Sequence, residues 1–204
     1  MKTLKLLVVS KNRGKLKEIK KILEGLPIEV CLLSDMGKRL VLPDEGTDYE
    51  TNACVKAKTA SDFFHIPSIA DDSGIEIDFL DSAPGPLSAR FGGEGISDKE
   101  RNRLILEKLK GVPEDKRGAR FRCFIALSFP GQKCVTTQAT CEGIIAEKPS
   151  GENGFGYDPI FYIPSLCKTF AEIAEDEKNE LSHRGKALRK ARKLIEELFI
   201  NNDN

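Results

Sequence analysis

Apolar and polar positions alternate along this chain in two distinct periods. Leu4 to Val9 is an apolar run with a β-branched tail, and it predicts a first buried strand. The polar stretch Ser10-Lys11-Asn12-Arg13-Gly14-Lys15 follows. Leu16, Ile19, Leu23 and Leu26 then recur at helical spacing, and Gly25 and Pro27 close that helix. Ile28 to Leu33 predicts a second strand. Ala53, Ala57, Ala60 and Phe64 mark one face of a helix that begins near Thr47 or Asp48. Pro67 to Ala70 reads as the end of a strand, and Ile75 and Ile77 alternate with Glu76 and Asp78 as in another. Asp71, Asp72, Ser73 and Gly74 are therefore predicted on a turn between two strands.

Further along, Ser82 to Gly93 is a Gly/Pro-rich loop, long enough to wall or cover a site. Ser97 with Glu100 is a capping box before a helix carrying Leu104, Ile105 and Leu109. Ala119 to Phe129 and Cys134 to Ala146 predict a hairpin turning near Pro130-Gly131-Gln132. A last helix carries Ala187, Ala191, Leu194, Ile195 and Leu198 on one face, with Ser182 as its cap. The pattern contains no internal repeat and no linker. Residues 1–200 are expected to form a single α/β domain, with 201–204 as a disordered tail.

Composition narrows the function classes. The chain of 204 residues is 31% charged and 40% hydrophobic, which is ordinary globular usage. Formal net charge is zero, so the counterion-release term of non-specific nucleic-acid binding is missing and no nucleic-acid partner is expected. No apolar run approaches the ~20 residues of a membrane span. A cytoplasmic protein is expected, and its six cysteines show no zinc spacing, so reduced structural thiols are expected.

Three stretches carry chemistry. The first strand, its polar loop and the helix behind it form a setting in which backbone N–H groups attract phosphate. Lys15 in the first helical turn opposes the helix dipole, which makes sense where an anion docks. Asp71 and Asp72 can hold a hard divalent cation or poise a water, and Asp44 or Glu45 can add a second carboxylate. In Ser150 to Pro159, Phe155 and Tyr157 stand among glycines, a placement that suits a flat ring stacked on a side chain, with Asp158 accepting at the ring's edge.

In this order the stretches resemble the Ham1-like family of inosine triphosphate pyrophosphatases. The residues that carry the resemblance are Ser10 to Glu18, Ala70-Asp71-Asp72-Ser73-Gly74, Pro84-Gly85 with Ser88 to Phe91, Gly154 to Phe161, and Ser182-His183-Arg184. The chain departs from the family pattern at two places. Lys11 stands where glycine is usual in the opening loop, a costly exchange if the backbone there needs a positive φ. Thr51 stands where glutamate is usual before the second helix.

The resemblance implies a long central mixed β-sheet flanked by helices, in two lobes with an active-site cleft between them. It implies a homodimer and Mg²⁺-dependent cleavage of ITP, dITP and XTP to the monophosphate and pyrophosphate. By resemblance, Ser10, Lys11, Asn12, Arg13, Gly14 and Lys15 hold the phosphates, with Ser73 beside them. Asp72 with Asp44 or Glu45 holds the metal, and Asp72, or else Asp71, acts as base. Phe155, Gly156, Tyr157 and Asp158 form the purine pocket, Lys178 reaches phosphate or base, and His183 and Arg184 donate toward the six-position of the ring. The rival readings are a nucleotide pyrophosphatase of other base choice and a nucleotide-binding module without turnover.

Overall fold

The computed structural model describes residues 3–200, and the tail expected at 201–204 lies outside them. The chain forms β1 (Leu4–Val8), α1 (Arg13–Leu23), β2 (Ile28–Leu32), α2 (Tyr49–Phe64), β3 (Ser68–Ile77) and α3 (Asp98–Lys108). It continues with β4 (Gly118–Ser128), β5 (Val135–Ile145), β6 (Phe161–Ile163), β7 (Lys168–Thr169), α4 (Glu175–Leu181) and α5 (His183–Ile195). The strands make one seven-stranded sheet in the order β2-β1-β3-β4-β5-β6-β7. It is mixed: β1 runs parallel to β2 and β3, while β6 is antiparallel to β5 and β7.

Cα packing divides the chain into two compact units. The first takes the described residues of Met1–Asp72, Cys123–Ala139 and Arg184–Asn204; the second is Ser73–Arg122 with Thr140–His183. In the first unit β1 is buried over Leu6 to Val8, where both of its faces are covered, while Lys5 is exposed beside Glu29. Leu6 and Val8 pack with Ile19 and Leu23 of α1 and with Ala187, Leu188 and Ala191 of α5. Leu7 and Val9 turn the other way, onto Ala53, Ala57 and Ala60 of α2. Successive strand residues point to opposite faces, so one run of sequence feeds two cores. The small alanines bring α2 close to the sheet.

The second unit packs Ile75 and Ile77 of β3 with Ile105, Leu109, Phe121, Phe161 and Phe170. Phe121 meets the ring of Phe161 at 4.6 Å between centroids. Arg117 is buried here and donates to the carbonyls of Leu109, Ile145 and Ala146 at 2.9, 2.6 and 2.8 Å. Its charge is spread over three backbone oxygens in place of a carboxylate.

One expectation fails in an informative way. Asp71 to Gly74 do not turn; β3 runs through them unbroken. Gly74 explains this without a positive φ. A Cβ there would stand 2.1 Å from the Gly85 carbonyl oxygen and 2.6 Å from Ser88 Oγ. The glycine admits a close crossing of backbone to an extended strand, and Asp-Asp-Ser-Gly reads as turn chemistry only because the neighbour is invisible in sequence.

Candidate active site

Because β3 continues through the acid pair, Asp71 and Asp72 point to opposite faces of the sheet. Asp71 faces the α1 and α5 side. Its Oδ2 lies 2.8 Å from Lys15 Nζ and 3.3 Å from Arg184 Nε, and Arg184 also binds Glu18 at 2.7 Å. Asp72 faces α2. Its Oδ1 accepts from Lys56 Nζ at 3.0 Å and its Oδ2 from the Asn52 amide at 3.0 Å. Lys56 donates as well to Glu45 at 2.9 Å and to the Asp71 carbonyl at 2.8 Å.

The two carboxyls therefore have different proton affinities. Burial by itself would raise Asp71, but Lys15, Arg184 and Lys56 outweigh it and hold the group well below the usual carboxylate range. Burial also raises Asp72, and there Lys56 and the Asn52 amide offset it only in part, so that its carboxyl stands above the ordinary value. Asp71 is a fixed anion, and Asp72 is the better proton acceptor.

The first loop is ordered by its own side chains. Asn12 caps α1, accepting the Lys15 N–H at 3.1 Å, and Ser10 Oγ accepts the Asn12 N–H at 3.2 Å. Arg13 and Gly14 open the helix, with Arg13 exposed. Lys11 is exposed and is not among the residues with positive φ, so lysine in place of glycine carries no backbone penalty. The anion that Lys15 meets is Asp71. Ser73 is half-buried, next to Asp72 on β3.

Glu45 and Asp72 converge on the single ammonium of Lys56. Asp44 is exposed, and a cavity of about 300 Å³ beside this group is lined by Asp44, Glu45, Asn52 and Lys56 among others. Among the described residues no three His, Cys, Asp or Glu side chains gather as a metal cluster. Two convergent carboxylates suit Mg²⁺, which takes one or two of them and fills its shell with water and phosphate oxygens. The donor set fits that ion, with Glu45 closer to Asp72's partner than Asp44.

In the second unit, Asp158 organises its own loop. Its Oδ2 accepts the Phe155 N–H at 2.7 Å and Lys178 Nζ at 2.5 Å. Lys178 also stands 4.9 Å from the centroid of the half-buried Phe155 ring. Gly156, at φ 64°, donates its N–H to Asp98 at 2.8 Å. Tyr157 departs from expectation: it is buried in the core of this unit, and its hydroxyl donates to the Ser88 carbonyl at 2.8 Å. It is a packing residue, and Phe155 alone of the pair offers a ring face. His183 is buried and stacked on Phe121, with centroids 4.6 Å apart and planes 7° apart.

His183 and Arg184 are neighbours in sequence but serve different units. Arg184 is buried against Glu18 and Asp71, so its guanidinium is committed to carboxylates rather than to a ring edge. Ser182 stands immediately before α5 in extended backbone, the position expected of its cap, and it also ends α4 with its N–H on the Lys178 carbonyl at 2.8 Å.

Sequence reasoning misses Lys56, Asn52 and Glu18. A signal for the first two is present. Asn52 and Lys56 are spaced i, i+4 on a helix, which places both on one face. Glu18 is legible only as a polar residue in an amphipathic helix.

A family model described as the Ham1 family matches residues 6–194. A dITP/XTP pyrophosphatase of Desulforamulus reducens is 42% identical over 98% of this chain and 100% of its own length. One from an Exiguobacterium species is 48% identical over 92% of this chain and 94% of its own. A solved HAM1 protein of Coxiella burnetii superposes with a TM-score of 0.85 at 38% identity, covering 95% of this chain and 99% of that one. Sequence and fold agree over nearly the full length, and this chain belongs to the Ham1 family.

Proposed function

We propose that this chain is a Mg²⁺-dependent nucleoside triphosphate pyrophosphohydrolase that converts ITP, dITP and XTP to the monophosphate and pyrophosphate. The observation that carries the reading is the convergence of Asp72 and Glu45 on the ammonium of Lys56, a cation position that the two carboxylates share, while Lys15 is held by Asp71 on the other face of β3. The names of the relatives support the substrate class.

A triphosphate needs cations and amide donors along its tail. Lys15, the hydroxyl of Ser10 and the N–H groups at the start of α1 supply them, and Lys56 adds a charge beside Asp72. Glu45 and Asp72 would hold Mg²⁺, which when bound neutralises phosphate oxygens as charge develops. Asp72 accepts the proton of the attacking water. The water oxygen bonds to the α-phosphorus, the bond to the α–β bridging oxygen breaks, and pyrophosphate leaves. Asp71 is a poor candidate for that step, because two cations keep it ionised. Its part is to fix Lys15 and Arg184.

Phe155 stacks the purine, and Asp158 fixes both the Phe155 backbone and Lys178. The imidazole of His183, held by Phe121, donates to the 6-oxo group of hypoxanthine or xanthine. Adenine would bring an amine against that donor, and an unpaired buried polar group is a strong discriminator. The biological reading is removal of deaminated purines from the nucleotide pool by a cytoplasmic homodimer.

The test is pyrophosphate release from ITP, XTP, GTP and ATP, with and without Mg²⁺. Metal-dependent release from ITP and XTP alone supports the proposal. Tight ITP binding without release identifies a non-catalytic module, and release of single phosphate moves the scissile bond.

A further inference from the structure

A stripe of side chains on α2, separate from the site above, faces the turn between β4 and β5 and the first residues of β5. Glu50, Cys54, Lys58 and Asp62 follow one another at i, i+4 along the helix. Glu50 accepts from Thr136 Oγ1 at 2.6 Å, and Asp62 accepts the Gly131 N–H at 3.0 Å. Between these two ties, Cys54 and Cys134 are close enough that each thiol perturbs the other. Both are part-exposed free cysteines, and both pack against the alanine-lined cluster under α2. The ties on either side hold α2 against the turn and the head of β5.

We propose that Cys54 and Cys134 are a modification site that takes a reversible disulfide by exchange with a low-molecular-weight disulfide of the oxidised-glutathione class. The Cys54 thiolate attacks one glutathione sulfur and expels glutathione thiolate, leaving a mixed disulfide. The Cys134 thiolate attacks the Cys54 sulfur, forms the protein S–S bond and expels the second glutathione. Two protein thiols lose two electrons and two protons, and one glutathione disulfide becomes two glutathiones. Burial raises both thiols, so the exchange is slow near neutral pH and speeds up as pH rises. The link joins α2 to the chain at the head of β5 and closes a loop of roughly 80 residues, long enough for a large loss of freedom in the unfolded chain. Asn52 and Lys56 leave α2 about 160° around the axis from Cys54, one on either side, so the link steadies the helix that presents them without touching them.

The experiment treats the unsubstituted chain with oxidised glutathione, digests it without reduction and maps linked peptides by mass. The expected result is one linked pair, Cys54 with Cys134, two hydrogens lighter. The melting temperature is expected to rise by roughly 5–15 °C and to return on adding dithiothreitol. Cys54→Ser and Cys134→Ser should show neither change. Stable glutathione adducts without a link, a link dominated by another pair, or a link that leaves melting unchanged overturns the proposal. The peptide map needs no variant, so it decides the matter even if a serine variant fails to fold.

Discussion

Lys56 and Asp72 meet at 3.0 Å on the α2 face of β3, and the same ammonium holds Glu45. A lysine here keeps two carboxylates close together that would otherwise repel. Lys56→Met removes the shared counter-charge. Its expected consequence is a higher Mg²⁺ requirement together with lower turnover, read from pyrophosphate release across a metal titration. An unchanged metal dependence would separate Lys56 from the site.

Asp72→Asn keeps the shape and the Asn52 contact but removes the proton acceptor. Turnover should fall by about 100-fold or more, with the circular dichroism spectrum unchanged. Glu45→Gln should raise the Mg²⁺ concentration for half-maximal rate, and Asp44→Asn should do so less. The reverse order would move the second carboxylate to Asp44.

Asp71 carries a stability prediction with a defined sign. Its carboxyl is held below the usual range when folded, against about 3.9 in the unfolded chain. The stabilisation is therefore full above about pH 4–5 and is lost as pH falls through the folded value. Asp71→Asn leaves Lys15 and Arg184 without their shared anion and should cost about 3–5 kcal/mol. Urea melts at pH 7 and pH 3 check both points: the gap between the two proteins should narrow at the lower pH.

Phe155→Ala tests the stacking ring. Loss of a base–aromatic stack costs about 1–3 kcal/mol, so KM for ITP should rise several-fold or more while kcat changes less. Tyr157→Phe should leave KM nearly unchanged and lower the melting temperature, because that hydroxyl ties the loop to Ser88.

Thiol reactivity should follow burial. Cys167 is exposed, whereas Cys123 is buried with its thiol pushed up to about 12 by desolvation. Iodoacetamide on the folded chain at pH 8 should label Cys167 and spare Cys123, and urea should abolish the difference.

Much of the candidate site is legible in the amino-acid sequence, and the places where the sequence misleads share a cause. Lys15 stands out because a cation in a first helical turn needs an anion. The local pattern points to phosphate alone, whereas Asp71 already stands at 2.8 Å. Tyr157 and Phe155 look equivalent between their glycines. The turn at Tyr157 and Asp158 sends one ring into the core and leaves the other half-exposed. The acid pair looks like a turn because the carbonyl of Gly85 that fits against Gly74 belongs to another part of the chain.

By itself the sequence determined what depends on near neighbours. The first strand and helix, the helix capped by Ser97 and the β4–β5 hairpin follow from periodicity and capping chemistry within a few residues. Only the tertiary structure decided which cation each carboxylate meets. Asp71 and Arg184 lie 113 positions apart, and Asp72 reaches Lys56 rather than Lys15 because adjacent strand residues face opposite sides of the sheet. Charge pairing over such distances is set by how helices cover the two faces, and no local pattern encodes it.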